Sequence, residues 1–225
     1  MKIKFGAIVV EGRGKLGGHV ASKNRGGNYL RTKVTPVNPQ TAAQTNVRSI
    51  FGGLASNWSS LTEAQRDSFN GRVAEYAKTD IFGDLKAPSG KALYQRLNQN
   101  LALTGQAAIT TCPAAGYTPF AEGLVVNGDV SSSTLAVEFD NDLTGYVLMV
   151  FATAPVSQGT NYVKNRLRMI TAVGGTNAAP ITIFNVYQQM FGTPAVGNKI
   201  FIGVKVVNDG GGASPLQTVI ANIVA

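Results

Sequence analysis

The stretch STLAVEF, residues 133–139, decides the fold class of the C-terminal half, because apolar side chains recur at every second position. Leu135, Val137 and Phe139 share one face, and a period of two is typical of a half-buried β-strand. Six further strand-like segments are separated by Gly, Pro, Asn and Asp: EGLVVNG, GYVLMVFATA, NRLRMITAVG, PITIF, NKIFIGVKVVN and LQTVIANIVA. This spacing predicts an antiparallel β-sandwich of immunoglobulin or fibronectin type III character over residues 120–225, with NVYQQMFG as a single helical turn.

Upstream of the strands, residues 38–104 have the period of amphipathic helices. Thr62 followed by Gln65 matches a capping box at the start of one helix. Ser89 is expected to cap the N-terminus of another helix, because Ser is a preferred residue at that position. Gly105 is expected to end this helix. The apolar stripes of the three predicted helices comprise Val47, Ile50, Phe51, Leu54 and Trp58, then Phe69, Val73, Tyr76 and Ala77, then Leu93, Leu97 and Leu101. We therefore predict a small three-helix unit, followed by a linker over residues 105–119.

Residues 1–37 differ from both of these parts and are predicted to form an extended basic β-arm. The stretch GRGKLGGHVASKNRGGNYLRTK, residues 12–33, holds six Lys or Arg side chains, six glycines and no acid. GGHVASK and NYLRTKV flank NRGG as a loose hairpin would, and KIKFGAIVV has the composition of a short strand. A lone hairpin is marginal in water, so the arm is expected to order only against a partner.

The net charge of +8 belongs almost entirely to this arm. Residues 1–33 carry +7, residues 34–110 carry +2 and residues 111–225 carry −1. Such asymmetry indicates a tail that meets nucleic acid or an acidic surface.

Enzyme and cofactor chemistry find little support in the residue types present. The only cysteine is Cys112 and the only histidine is His19, which excludes a disulfide framework and a cysteine-based zinc site. GRGKLGG departs from a phosphate-binding loop, because Lys15 is followed by Leu16 and no helix is predicted after it. A catalytic triad needs a His base oriented by a carboxylate, and His19 lies in the arm. We predict no enzyme and no cofactor.

A cluster of carboxylates, Glu138, Asp140 and Asp142, lies at the end of the strand STLAVEF and in the turn that follows it. A loose Ca²⁺ site there competes with a solvated turn, and the turn is favoured because the spacing matches no EF-hand loop. No segment approaches the length of about 18 apolar residues that a membrane span needs. The opening apolar run is too short for a signal peptide. The sequence thus predicts a soluble protein made in a cytoplasm, with no membrane partner.

Four segments come in a fixed order over residues 14–104: GKLGG, YLRTKVTPVNPQTAAQTNVRSIF, LASNWSSLTEAQRDSF and SGKALYQRLNQNL. This order resembles a poorly characterised family found in bacteriophages and prophage-like regions, particularly of Bacteroidetes hosts. The family pattern is a G-K-x-G arm, then N-P-x-T-x-x-Q, then L-T-x-x-Q-R. The resemblance implies a virion structural protein, located in the virion after assembly in the host cytoplasm, and it implies no catalytic residues.

Together these observations predict a head–tail connector, a neck-ring component or a capsid decoration protein. It would form a homo-oligomeric ring or lattice with other virion structural proteins. The residues expected to contact a neighbouring subunit are Arg13, Lys15, Lys23, Arg25, Arg31 and Lys33. Arg48 and Trp58 are expected to pack the arm against the helices.

Two alternatives stay open. The arm would bind nucleic acid by neutralising phosphates, although Tyr29 is the only aromatic ring in residues 12–33 on which a base would stack. The predicted sandwich would otherwise serve as a carbohydrate-binding or adhesin module, although Tyr146, Tyr162 and Tyr187 are scattered along the sequence.

Overall fold

The computed structural model describes residues 12–24, 27–79, 85–129, 132–176 and 180–224. The chain divides into two compact units, residues 1–45 and residues 46–225. The described residues combine four helices with a large seven-stranded sheet, so the α+β class is confirmed. The predicted domain boundaries at residues 37, 104 and 119 stay predictions.

The first unit contains a three-stranded antiparallel sheet made of β1 (Gly14–Leu16), β2 (His19–Asn24) and β3 (Gly27–Thr32), in that order. β2 pairs with β3 from His19↔Thr32 to Asn24↔Gly27, which confirms the predicted hairpin. The strand predicted for KIKFGAIVV lies outside the described residues. Residues 33–41 follow without regular structure.

Three helices form the next part of the chain: α1 (Ala42–Ser60), α2 (Glu63–Gly71) and α3 (Gly90–Leu103). The two-residue strands β4 (Lys78–Thr79) and β5 (Leu85–Lys86) pair between α2 and α3. The capping box is confirmed, because the Thr62 side chain accepts from the Gln65 N–H and the Gln65 side chain accepts from the Thr62 N–H. The Ser89 hydroxyl accepts from the Ala92 N–H and caps α3 as predicted.

The helical core forms around Phe69 and Tyr94, and its other buried members are Leu54, Leu61, Leu93, Leu97 and Cys112. The Trp58 ring centroid lies 6.0 Å from that of Phe69 and 5.4 Å from that of Tyr94. The predicted stripe of α1 is only partly confirmed, because Val47 and Phe51 remain 40% and 49% exposed. Ile50, Leu54 and Trp58 of the same stripe do pack in the helical core.

The junction between α1 and α2 depends on one guanidinium. Arg66 Nη2 donates to the carbonyl oxygens of Ser59 at 3.0 Å and Leu61 at 2.7 Å. These contacts satisfy carbonyl oxygens at and just beyond the C-terminal end of α1. The last carbonyls of a helix have no N–H partner within the helix, and the helix dipole favours a positive charge there.

We expect Arg66→Met to lower the free energy of unfolding by about 1–3 kcal/mol, because two hydrogen bonds from a charged donor are lost and the one to the Leu61 carbonyl is partly buried. Arg72→Met is the matched control, since the Arg72–Glu75 pair at 3.4 Å is exposed and such pairs contribute under about 1 kcal/mol. Urea denaturation followed by circular dichroism measures both. Equal losses for the two variants would contradict the capping role of Arg66.

All seven predicted strands of the C-terminal half are confirmed. They are β6 (Val125–Asp129), β7 (Thr134–Glu138), β8 (Val147–Ala152), β9 (Arg168–Gly174), β10 (Ile181–Thr182), β11 (Lys199–Val207) and β12 (Gln217–Val224). NVYQQMFG is longer than the predicted single turn, because α4 spans Phe184–Phe191.

The pairing of these strands corrects the prediction of a purely antiparallel domain. The order is β10-β7-β6-β12-β11-β8-β9 in one continuous sheet. β12 pairs with β11 through Asn222, and its last described residues, Ile223 and Val224, pair in parallel with β6. This short parallel contact joins two antiparallel halves whose buried side chains share one core. The sheet is therefore nearly barrel-like, and the two-sheet sandwich of immunoglobulin or fibronectin type III character is not confirmed.

Helix α4 covers the interior where this sheet does not close on itself. It contacts β7, near one end of the strand order, and β9 at the other end. Tyr187 of α4 is fully buried, and its hydroxyl donates to the Thr153 carbonyl oxygen at 3.0 Å. Burial raises the pKa of Tyr187, so the ring stays neutral. A single helix thus completes the core of the sheet.

The segment expected to be a linker is bonded to the helices. The side chain of Asn98 on α3 donates to the Ile109 carbonyl at 3.1 Å and accepts from the Ile109 N–H at 2.7 Å. The Asn100 amide, also on α3, donates to the Gly211 carbonyl at 2.8 Å in the loop between β11 and β12. Helix α3 is therefore hydrogen-bonded both to the segment that follows it and to a loop of the large sheet.

Candidate functional site

The three-stranded sheet of the arm sorts its side chains onto two faces. Lys15, Val20 and Arg31 lie directly opposite one another across β1, β2 and β3, and cross-strand partners share a face. Ser22 and Tyr29 form the next row of the same face. We call these five residues the arm face.

The opposite side of the arm sheet has a different composition. It carries Leu16, His19 and Thr32 in one row, and Ala21 with Leu30 and Lys23 with Asn28 in the following rows. The cationic pair therefore belongs to the arm face, where it flanks the apolar Val20.

The arm has no core of its own among the residues described. Of the side chains in residues 12–23 and 28–45, none is buried. Leu16, Val34 and Val37 are 70%, 69% and 89% exposed. A β-sheet of this size is marginally stable in water unless an apolar face is covered, so the arm sheet gains little stability from its own packing.

The predicted arm contacts occupy different positions on the arm sheet. Arg13, Lys15, Lys23, Arg31 and Lys33 are all exposed. The strand register places Lys15 and Arg31 on the same face of the sheet and Lys23 on the opposite face. Arg13 precedes β1, and the Lys33 N–H donates to the Gly18 carbonyl at 2.8 Å just beyond β3. Arg25 lies outside the described residues.

The two residues predicted to hold the arm to the helices lie on α1. Arg48 is on its exposed first half, whereas Trp58 packs into the helical core through its contacts with Phe69 and Tyr94. Trp58 therefore has a core role, and the arm-to-helix packing assigned to Arg48 and Trp58 stays a prediction.

The single histidine and the single cysteine lie in different environments. His19 is exposed between Leu16 and Thr32 on the arm sheet. Cys112 is buried in the helical core, where its N–H donates to Ser68 Oγ at 3.0 Å. Burial raises the pKa of the Cys112 thiol, which disfavours the reactive thiolate.

An acidic surface that was not predicted lies on the outside of the large sheet. Glu138 on β7 is directly opposite Val125 on β6, and Asp129 on β6 is beside Val224 on β12. Val125 and Val224 are 49% and 54% exposed. We call these four residues the outer acidic face.

The sequence does contain a signal for this face. Residues 97–163 include five acidic side chains and not one Lys or Arg, so β6 and β7 carry acidic residues but no basic ones. The strands β10 and β12 likewise carry no Lys or Arg. A net charge summed over residues 111–225 conceals this local excess.

The carboxylate cluster after β7 is held by local hydrogen bonds. Asp142 accepts from the Thr144 hydroxyl at 2.6 Å and from the Thr144 N–H at 2.9 Å. The hydroxyl bond, followed by the backbone bond, lowers the pKa of Asp142. Glu138 accepts from the Asn127 amide at 3.0 Å. Within the described ranges, no three His, Cys, Asp or Glu side chains are grouped closely enough to hold a metal ion.

The outside of β11 carries an open cleft of about 520 Å³. Phe201 is part of its lining, with Val163, Leu167 and Leu216 among the other apolar residues and Asn161, Lys164 and Thr218 among the polar ones. Tyr162 also lines it and is 72% exposed. Lys199, almost fully buried, donates to Asn161 Oδ1 at 3.3 Å. The strand pattern gave no indication of this cleft, because its walls are largely loops.

Comparison of the chain with known protein families, curated proteins and solved structures yields no match. In the part of the chain that the structure describes, every helix is too short or too polar to cross a membrane.

Proposed function

We propose that the protein is a non-enzymatic structural component of a bacteriophage virion, a head–tail connector, neck-ring or capsid decoration protein. It assembles through its N-terminal arm onto neighbouring subunits. The class is supported by the ordered motifs of residues 14–104. The observation that carries the role of the arm is a three-stranded sheet with exposed cations and no buried side chain in the residues described.

In this proposal the unit of residues 46–225 supplies shape, and the arm supplies the link between copies. Weak contacts repeated around a ring or lattice then add up to a stable assembly. An immunoglobulin- or fibronectin type III-like fold for residues 120–225 belongs to the proposal as well. Seven strands around one core support it, whereas the parallel β6–β12 pair speaks against it.

Removing the arm tests this function. We expect the full chain to have the mass of an oligomer in solution, and a chain of residues 34–225 to have the mass of a monomer and to fail to enter particles. Analytical ultracentrifugation and particle incorporation provide the two measurements. Unchanged mass and unchanged incorporation of the shortened chain would refute the role of the arm.

Two other functions compete. Nucleic-acid binding through the arm is favoured by its charge, and affinity for duplex DNA would then fall steeply between about 50 and 200 mM salt. Glycan binding is favoured by the cleft beside β11, where the exposed Tyr162 ring lies with polar Asn161 and Thr218. Exposed aromatic rings beside planar polar groups suit sugar rings, whose faces are apolar and whose edges donate and accept hydrogen bonds.

A further inference from the structure

The distribution of charge on the chain identifies a surface that fits the arm. The arm carries most of the net positive charge, whereas β6 and β7 carry acidic side chains and, like β12, no base. Oppositely charged surfaces steer association and set its register. The outer acidic face is therefore electrostatically suited to receive the arm.

The arm face and the outer acidic face also both carry apolar side chains next to their charged ones. On the arm face, Lys15 and Arg31 flank Val20, and Tyr29 lies in the next row. On the outer acidic face, Glu138 is beside the exposed Val125 and Asp129 is beside the exposed Val224. Each surface alternates charge with apolar side chains, so contact would bury Val20, Val125 and Val224 while leaving each charge opposite its counterion.

The spacing of the charges is compatible with this contact. Lys15 and Arg31 are two strands apart, which is about 10 Å at the usual strand separation. Glu138 and Asp129 are one strand and four residues apart, which is about 14 Å with the usual rise per residue. Lys and Arg side chains are long and flexible enough to cover the difference.

We propose that the arm face of one copy packs on the outer acidic face of a second copy, sheet against sheet, with Lys15 and Arg31 paired to Glu138 and Asp129. This inference rests on the proposed function, because it names the surface that the arm of each subunit meets. The contact is heterologous, since two different surfaces meet, and it therefore generates a closed ring or an open array.

Charge reversal on either surface tests the contact in the full chain. Variant A carries Lys15→Glu and Arg31→Glu on the arm face. Variant B carries Glu138→Lys and Asp129→Lys, the two carboxylates of the outer acidic face. We expect each variant alone to need about tenfold or more protein to assemble, because attraction becomes repulsion at two positions.

Mixing the two variants gives the decisive result. In an equimolar mixture, the acidic arm of variant A meets the basic face of variant B, and the native arm of variant B meets the native face of variant A. We expect the mixture to assemble as the wild type does, measured by analytical ultracentrifugation. The control carries Lys23→Glu on the opposite face of the arm sheet and Lys91→Glu at the exposed start of α3, the same change of charge away from the arm face, and should retain assembly. Thermal melts of each variant verify that it is folded.

The outcomes separate this inference from the proposed function. Loss of assembly in variant A with no effect in variant B would overturn the named surface and leave the arm's role intact. Failure of both variants without rescue in the mixture would place each arm on its own chain and overturn the inference. Loss of duplex DNA binding in variant A, with assembly unchanged, would make nucleic acid the partner and overturn it too. Only an arm-deleted chain that still assembles would remove the proposed function.

Discussion

Tyr187→Ala is expected to lower the free energy of unfolding by about 3–5 kcal/mol, the range found when a fully buried aromatic ring is removed. The ring lies in the core between α4 and the large sheet and contacts the Phe191 ring at a centroid distance of 5.2 Å. Its loss leaves a cavity and an unsatisfied Thr153 carbonyl. A domain is stable by only about 5–15 kcal/mol, so this variant should be close to unfolding at physiological temperature.

Two further variants separate the causes of this loss. Tyr187→Phe removes only the hydroxyl and should cost about 1–3 kcal/mol, because the Thr153 carbonyl stays buried without its donor. Met190→Ala lies on the same helix at a side chain that is 48% exposed and should change stability by less than about 0.5 kcal/mol. Denaturant titrations monitored by tryptophan fluorescence and circular dichroism measure all three. A Tyr187→Ala loss no larger than that of Met190→Ala would show that α4 does not complete the core.

Gly211→Ala should be the second severely destabilising change, at about 2–5 kcal/mol. Gly211 has φ +75°, a backbone conformation that costs an alanine about 1–2 kcal/mol. A Cβ at this position would also overlap the backbone carbonyl oxygen of Leu97 on α3, and overpacking of this kind adds about 1–3 kcal/mol. The Asn100 amide bond to the Gly211 carbonyl would be strained by any shift that relieves the overlap.

Gly105→Ala is a closely matched control. Gly105 has φ +72° just after α3, but open space surrounds the position of its missing Cβ. It should therefore show only the backbone cost of about 1–2 kcal/mol. The difference between the two alanine variants, measured by chemical denaturation, isolates the close approach of the loop to α3. Equal losses would mean that loop and helix separate easily, so that the helices and the sheet do not unfold together.

Local patterns predicted the elements of this fold well. The alternation in STLAVEF gives β7, the Thr62–Gln65 box starts α2, and Ser89 caps α3. Each of these signals consists of a few neighbouring residues, and the interaction that it predicts forms between those same residues. The sequence also contains a signal for the two-turn length of α4, because Phe184, Tyr187 and Phe191 recur at helical spacing. A short apolar run between strands is equally typical of a single turn, however, so this signal does not fix the length of the helix.

Long-range pairing was not predictable in the same way. The parallel contact of Ile223 and Val224 with β6 joins residues almost a hundred positions apart, and nothing local to β12 distinguishes a parallel neighbour from an antiparallel one. In the candidate site, the residue types and the hairpin of the arm followed from the sequence. The separation of Lys15 and Arg31 from Lys23 depends on strand register, which a one-residue slip would reverse.

The acidic strands have a practical consequence for mapping this molecule. Trypsin cuts after Lys and Arg, so complete digestion leaves β6, β7 and β8 within one peptide that runs from Leu97 to Lys164. Amine-reactive cross-linkers find no attachment point in residues 97–163, and neighbours of this surface would go undetected with such reagents. Carbodiimide coupling, which joins carboxylates to lysines, would instead report directly on whatever amine lies next to Glu138.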